Sequence, residues 1–360
     1  MEVKVLLVMG TRPEAIKLAP VHRALLKRDI ETRVCSTRQQ WQLLSDAMDV
    51  FGIEPDYEFP IGKPSYLLSP YFGEMMSNFD IVLHDYDPDW TIVQGDTNSA
   101  MAGALASYYK KIRVAHVEAG LRTSNIYAPF PEEGNRRMIS QISNMHFAPT
   151  DIARHHLLIS CITDKKIHVV GNTVVDALNM IPESEPEIGG RYVLVTAHRR
   201  ENFGQPLENI CRAIRSLALS YSDVKFIFSV HPNASVDTAV HKNLRMHKPP
   251  NMFLLSPPEY TRWINLMRHA YMIMTDSGGI QEEAPSFGVP VLVMRDVTER
   301  PEAAQLGYAK VVGTNTDVIV SQARSLLNNK AERDSMSAKS NPYGDGRASE
   351  RIVEVLLGEH

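Results

Sequence analysis

Short, almost continuously apolar runs recur along this chain, each followed by a turn rich in glycine or ionisable residues and then by a helical pattern. In the first part the runs are Val3–Met9, Thr32–Thr37, Trp90–Gln94, Arg113–Val117, Met145–Pro149 and Ile167–Val170. A strand with one wet face alternates in polarity, whereas a strand covered by helices on both faces does not. Helical patterns lie between the runs, over Glu14–Lys27, Asn98–Tyr109 and Glu132–Gln141. Strand, helix, strand in repetition predicts a doubly wound parallel sheet. The pattern pauses over Ile181–Gly190, which is polar and rich in Pro and Gly and reads as connecting surface chain. It resumes with Tyr192–Ala197, Val224–Val230, Met252–Leu255, Tyr271–Thr275, Val289–Met294 and Lys310–Val312, and a last helix is expected from Gly346 to Leu357. The expected fold is therefore α/β, with two Rossmann-like doubly wound parallel-sheet domains and a cleft between them. A chain of 360 residues, too long for one ordinary core, suits that division.

Composition narrows the function classes. A formal net charge of −4 provides no global footprint for nucleic acid, so an anionic ligand has to be met by locally placed cations. Cys35, Cys161 and Cys211 are odd in number, far apart and without metal-type spacing. No stretch approaches the apolar length of a membrane span or a signal segment, and a cytoplasmic location is expected.

Open α/β sheets bind ligands beyond the carboxyl ends of their strands, and there the ionisable clusters fall. After the first strand comes GTRPEAIK, with Arg12 at the strand end, Pro13 in an N1-like helical position, Glu14 in the first turn and Lys17 one turn on. A fixed arginine there suits a phosphate, while Glu14 and Lys17 also suit a solvated first turn. Asp96 in GDT, Glu118 in HVEAGLRT and Glu132 in PFPEEGNR are acids near ends expected to face the cleft. One of Glu132 and Glu133 suits plain helix N-terminal charge. Acids grouped beside an anionic ligand are costly unless they handle protons. In the second part, AHRRENFG holds His198 and Arg199, and HPN places His231 at the matching position of a neighbouring strand. TDSGGIQEEAP puts Ser277, Gly278 and Gly279 between a strand and a helix, where backbone N–H groups suit a phosphate. Glu282 and Glu283, one turn into that helix, suit ribose hydroxyls; a plain Ser cap with charged first-turn residues is the alternative.

Read together, GTRPEAIKLAP, GDT, HVEAGLRT, PFPEEGNR, GNTVVDAL, TAHRRENFG, HPN, DSGGIQEEAP, TERPEA and NPYGDG follow one another along nearly the whole chain. In this the sequence resembles the non-hydrolysing UDP-N-acetylglucosamine 2-epimerases. The resemblance implies a GT-B-like fold, residues 1–171 forming the first domain with a C-terminal helix over 346–360 packed back on it, and residues 172–345 the second. It implies interconversion of UDP-GlcNAc and UDP-ManNAc through elimination and readdition of UDP via 2-acetamidoglucal, with no cofactor and no metal. By motif position Lys17, Asp96, Glu118, Glu132 and His198 match the family's catalytic residues. Arg12, His231, Ser277, Gly278, Gly279 and Glu283 match its substrate contacts. Trp263 stands where a Phe beside uracil is usual; a core Trp on a helical face is the other reading. Gln39, Gln42 and Arg199 match a site for a second UDP-GlcNAc as activator, although Gln40 and Trp41 replace a His and a basic residue there. A homodimer is implied as well.

Three rivals share parts of this pattern. A 2-epimerase of a modified UDP-sugar, such as UDP-2,3-diacetamido-glucuronate, would need the same scaffold. A GT-B glycosyltransferase would share the nucleotide segment but not GTRPEAIK, HVEAGLR and HRRENFG together. A non-catalytic nucleotide-sugar sensor would have no use for three such carboxylates with Lys17 and His198.

Overall fold

A computed structural model of the chain describes residues 3–60, 67–123, 125–246, 248–298, 300–337 and 341–358. The chain forms two compact units, the first running to Met180 and taking up the chain again at Tyr343, the second comprising Ile181–Pro342.

In the first unit the elements alternate as β1 (Lys4–Met9), α1 (Arg12–Leu26), β2 (Glu31–Ser36), α2 (Trp41–Phe51), β3 (Tyr57–Glu58), α3 (Leu68–Tyr86), β4 (Trp90–Gln94) and α4 (Asn98–Tyr109). They continue as β5 (Arg113–Val117), α5 (Glu132–Ile142), β6 (Met145–Ala148), α6 (Asp151–Ile159), β7 (Ile167–Val169) and α7 (Thr173–Met180). The seven-stranded sheet runs β3-β2-β1-β4-β5-β6-β7, all parallel. Covered on both faces, its strands bury Val5 to Met9 and all of β4, which is why those runs do not alternate. The two-residue β3 was not expected, because it carries no apolar run; it exists only as an edge paired to Cys35 and Ser36.

The second unit contains β8 (Tyr192–Thr196), α8 (Gln205–Ser220), β9 (Lys225–Ser229), α9 (Ala234–Val240), β10 (Met252–Leu255), α10 (Tyr260–Arg268) and β11 (Met272–Thr275). It goes on through α11 (Gly278–Glu283), β12 (Val291–Val293), α12 (Pro301–Gln305), β13 (Ala309–Val311), α13 (Thr316–Asn328) and α14 (Lys330–Ser337). Its six strands run β10-β9-β8-β11-β12-β13. Both sheets thus reverse direction once, between β1 and β4 and between β8 and β11. Such a reversal is the topological switch point at which open α/β sheets bind ligands.

The first unit extends beyond the expected boundary at residues 171 and 172. Helix α7 packs on α1, and the last helix, α15 (Ala348–Gly358), packs on both. Asp176 explains the attachment: its buried carboxylate accepts from Ala348 N at 3.2 Å and Ser349 N at 2.8 Å, and from the Ser349 hydroxyl. A side chain of α7 thereby caps the orphan N–H groups of α15. Among the described residues no helix is long and apolar enough to cross a membrane.

Two histidines lie inside the first sheet on paired positions of β5 and β6. His116 Nε2 donates to the Gly95 carbonyl at 2.7 Å; among the described residues its Nδ1 has no partner, and neither nitrogen of His146 has one. Burial holds both well below the usual imidazole value, His116 at about 4 and His146 at about 3. Between those values and about 6.5 the unfolded chain takes up the proton and the folded chain does not, so stability is complete above pH 6.5 and declines as pH falls. The His146→Leu variant, which removes an unsatisfied polar ring, is expected to match or exceed wild-type stability at pH 7.5. It should also lose about 2 kcal/mol less between pH 6.5 and 4.5. Urea titrations at the two pH values measure this, and a slope equal to that of wild type would contradict it. For Asp176→Ala we expect a loss of about 2 kcal/mol, with faster hydrogen exchange confined first to α15; unchanged α15 protection would exclude the proposed cap.

Candidate active site

At the switch point of the first unit, the turns after β1 and β4 approach closely. Gly10 permits this: a Cβ there would collide with the side chains of Ser99 and Thr37. Arg12 opens α1, Pro13 occupies its second position, and Glu14 its third. Glu14 is not in a solvated turn. It is fully buried, and its Oε2 accepts from Gly10 N at 2.8 Å, Thr11 N at 2.7 Å and the Thr11 hydroxyl at 2.9 Å. Its Oε1 accepts from the Thr97 hydroxyl at 2.6 Å. Burial pushes this carboxyl up to about 7 against the pull of those donors.

One turn along α1, Lys17 is also buried, and its Nζ donates to Glu118 Oε1 at 2.6 Å. Gln94 donates to the other oxygen of Glu118. Glu118 follows β5 directly and has φ of 62°, a left-handed conformation that non-glycine residues rarely adopt. Replacing a buried ion pair by packed apolar residues is often neutral or stabilising, by about 1–4 kcal/mol. Stability therefore does not account for a charged pair here, still less for one built on a strained backbone. Strain of this kind, of order 1–3 kcal/mol, clusters at functional sites.

Asp96 lies on the neighbouring turn. Arg136 Nε donates to its Oδ2 at 2.9 Å, a second guanidinium N–H reaches the same oxygen, and Asn135 Nδ2 holds the Asp96 carbonyl at 3.0 Å. Both partners come from α5. Of the two acids that open that helix, Glu133 is fully buried and bonded to Thr123 N, Arg136 and Arg137. Glu133 takes the structural duty, leaving Glu132 partly exposed at the first position of the helix.

In the second unit the turns after β8 and β11 are joined by Asp276. This buried carboxylate accepts from His198 N at 3.1 and 2.9 Å, Arg199 N at 2.9 Å and Asn202 Nδ2 at 3.0 Å. The His198 ring stacks on His231, with centroids 5.3 Å apart and planes 17° apart. Burial, with Arg199 and His231 nearby, outweighs Asp276 and keeps His198 below the usual imidazole value. Ser277 stands at the N-cap position of the short α11, and its N–H donates to Thr275 Oγ1 at 2.9 Å. Gly278 and Gly279 follow. A Cβ on Gly278 would lie 3.2 Å from Arg199 Nη2 and 3.6 Å from the Arg300 guanidinium, so two cations flank that backbone. Arg300 Nε also donates to buried Glu282 at 2.7 Å, whereas Glu283 accepts from Tyr260 at 3.2 Å. Glu299, in the TERPEA motif, lies outside the described residues.

Of the sequence-predicted residues, Lys17 meets Glu118, Asp96 lies on the turn after β4, His198 stacks on His231, and Arg199 lies against Gly278. Trp263 is half-buried on α10 and Gln42 is exposed on α2. Gln39 is committed through its carbonyl oxygen to Ser99, at 3.1 Å from N and 2.7 Å from Oγ. The residues missed were Glu14 as a buried acid, Gln94, Arg136, Asp276 and Arg300. Only Arg136 left a local signal, its i+3 spacing from Glu133.

Comparison with known proteins identifies the family. The family model described as UDP-N-acetylglucosamine 2-epimerase matches residues 23–357. The UDP-N-acetylglucosamine 2-epimerase of Escherichia coli K12 is 42% identical over 370 residues, covering 98% of each chain. The crystal structure of UDP-GlcNAc 2-epimerase from Neisseria meningitidis, bound to UDP-GlcNAc, superposes with a TM-score of 0.92 at 42% identity over 99% of this chain and all of that one. The Methanocaldococcus jannaschii enzyme in complex with UDP-GlcNAc and UDP gives 0.83 at 36% identity, with coverage of 99% and 100%.

Proposed function

The chain belongs to the UDP-N-acetylglucosamine 2-epimerase family, and from that premise we propose how its residues divide the work of interconverting UDP-GlcNAc and UDP-ManNAc. The C2 proton of the sugar has no adjacent carbonyl and is weakly acidic, so departure of UDP carries much of the barrier. The C2–H electron pair forms the C1=C2 bond as the C1–O bond breaks, giving 2-acetamidoglucal and UDP. Readdition of a UDP oxygen to C1, with a proton delivered to the opposite face of C2, completes the inversion.

In this reading Arg12, His198, His231, Ser277 and the backbone N–H groups of Gly278 and Gly279 hold the diphosphate and stabilise the charge that develops on UDP. A bound diphosphate favours the protonated form of His198, which opposes the effect of its burial. Glu283, oriented by Tyr260, takes the ribose hydroxyls, and Trp263 stacks on uracil. Lys17, Asp96, Glu118 and Glu132 handle the protons on the two faces of C2. The observation that carries the reading is the buried Lys17–Glu118 pair beside the Arg136-bound Asp96, an arrangement that stability alone does not explain.

Incubation with UDP-GlcNAc in D2O tests it. NMR should show UDP-ManNAc appearing with deuterium at C2 in both sugars, and Asp96→Asn should slow the exchange by about 100-fold or more. Unchanged UDP-GlcNAc would point to a modified sugar, and transfer to an added acceptor without C2 exchange would point to a glycosyltransferase. We further propose a cytoplasmic homodimer that a second UDP-GlcNAc activates through Gln39, Gln42 and Arg199. Initial rates should then rise sigmoidally with UDP-GlcNAc, and light scattering should read twice the 40.4 kDa chain mass. Hyperbolic rates, with the reverse reaction indifferent to added UDP-GlcNAc, would remove the activator.

A further inference from the structure

The buried carboxylate of Glu14 has no part in the chemistry above, yet it accepts four hydrogen bonds at the first switch point. One oxygen gathers the N–H groups of Gly10 and Thr11 with the Thr11 hydroxyl; the other accepts from Thr97, 83 residues away. The first set is the glutamate half of a capping box, which any helix can use. The Thr97 bond is not a capping requirement. Thr97 already caps α4 by accepting from Ala100 N at 3.0 Å, so its proton is free to go to Glu14. The result is a carboxylate shared by the N-terminal turns of α1 and α4. Arg12 and Lys17 lie on one side of this bridge, and Asp96 directly precedes Thr97 on the other.

We propose that Glu14 is a positioning residue for the reaction, its carboxylate bridge from Gly10 and Thr11 to Thr97 setting Arg12 and Lys17 in register with Asp96. The inference rests on the epimerase reading and deepens it. Glu14 is 0% exposed and so acts only through the turns it joins. A misplacement of about 1 Å at reacting groups can cost about 100-fold in rate, and an interaction made only in the transition state lowers kcat without raising KM when it is lost. The bridge should therefore affect kcat far more than KM.

The test is a double-mutant cycle on the full-length protein, with kcat, KM and thermal stability measured for each variant. Glu14→Ala and Thr97→Val should each lower kcat by about 10-fold or more with KM within about 3-fold, and the double variant should be no slower than the worse single one. Thr97→Ser should restore the rate. Glu14→Gln should recover much of it, since its carbonyl can accept from Gly10 and Thr11 while its amide donates to Thr97. Thr150→Val, which removes the equivalent cap of α6 through Ala153 N, controls for lost helix stability and should leave kcat unchanged. Additive losses in the cycle, a change in KM alone, or a kcat loss in Thr150→Val equal to that in Thr97→Val would overturn the inference. An active wild type with unaffected variants overturns it while sparing the epimerase reading; a wild type that neither epimerises UDP-GlcNAc nor exchanges its C2 proton overturns both.

Discussion

Each half of this protein seals a fully buried carboxyl group into the turns at its switch point, Glu14 in the first and Asp276 in the second, and a buried carboxylate without hydrogen-bond donors is too costly to keep. Glu14 obtains its donors from Gly10, Thr11 and Thr97. Asp276 obtains them from His198, Arg199 and Asn202. In both units those donors come from the turns flanking the place where strand order reverses, β1 with β4 and β8 with β11. Satisfying the carboxylate thus draws together two loops that sheet pairing alone leaves free to diverge. Arg12, Lys17 and Asp96 are carried on one pair of loops, and His198, Arg199, Ser277, Gly278 and Gly279 on the other.

Around these anchors the charged groups fall into two kinds. Glu133 and Glu282 are buried acids whose arginine partners, Arg136, Arg137 and Arg300, hold the loops in place. Lys17 with Glu118, and Asp96 with Arg136, are pairs set directly at the strand ends. The left-handed backbone of Glu118 adds strain to a pair that already costs desolvation. An enzyme that must move a weakly acidic proton benefits from such groups being preorganised, because no reorganisation is then needed during the reaction. In the second unit the cations are offered differently. Arg199 and Arg300 flank a backbone made approachable by glycine, and burial holds the His198 imidazole below its usual value.

Much of this was legible beforehand because it is encoded over short spans. Continuous apolar runs announced the strands, with Trp90–Gln94, Arg113–Val117 and Met252–Leu255 falling where expected. Turn residues at the strand ends marked where ligand groups gather, and the similarity of motifs to a known family named the chemistry. The edge strand β3 escaped notice since two residues carry no periodicity, and α7 was assigned to the wrong side of the boundary since its packing on α1 leaves no local mark.

What sequence alone determined, then, was the alternation of the longer strands with helices and the residue types standing at the strand ends, which depend on neighbours within a few positions. Only the tertiary structure decided which acids are buried and which remain partly open. Glu14 and Glu132 both look like first-turn helix charges, yet the first is sealed inside a bridge and the second stays partly exposed. Lys17 meets Glu118 across 101 residues, and Asp96 meets Arg136 across 40. Burial and pairing are properties of groups brought together by strand order, so no window of sequence contains them.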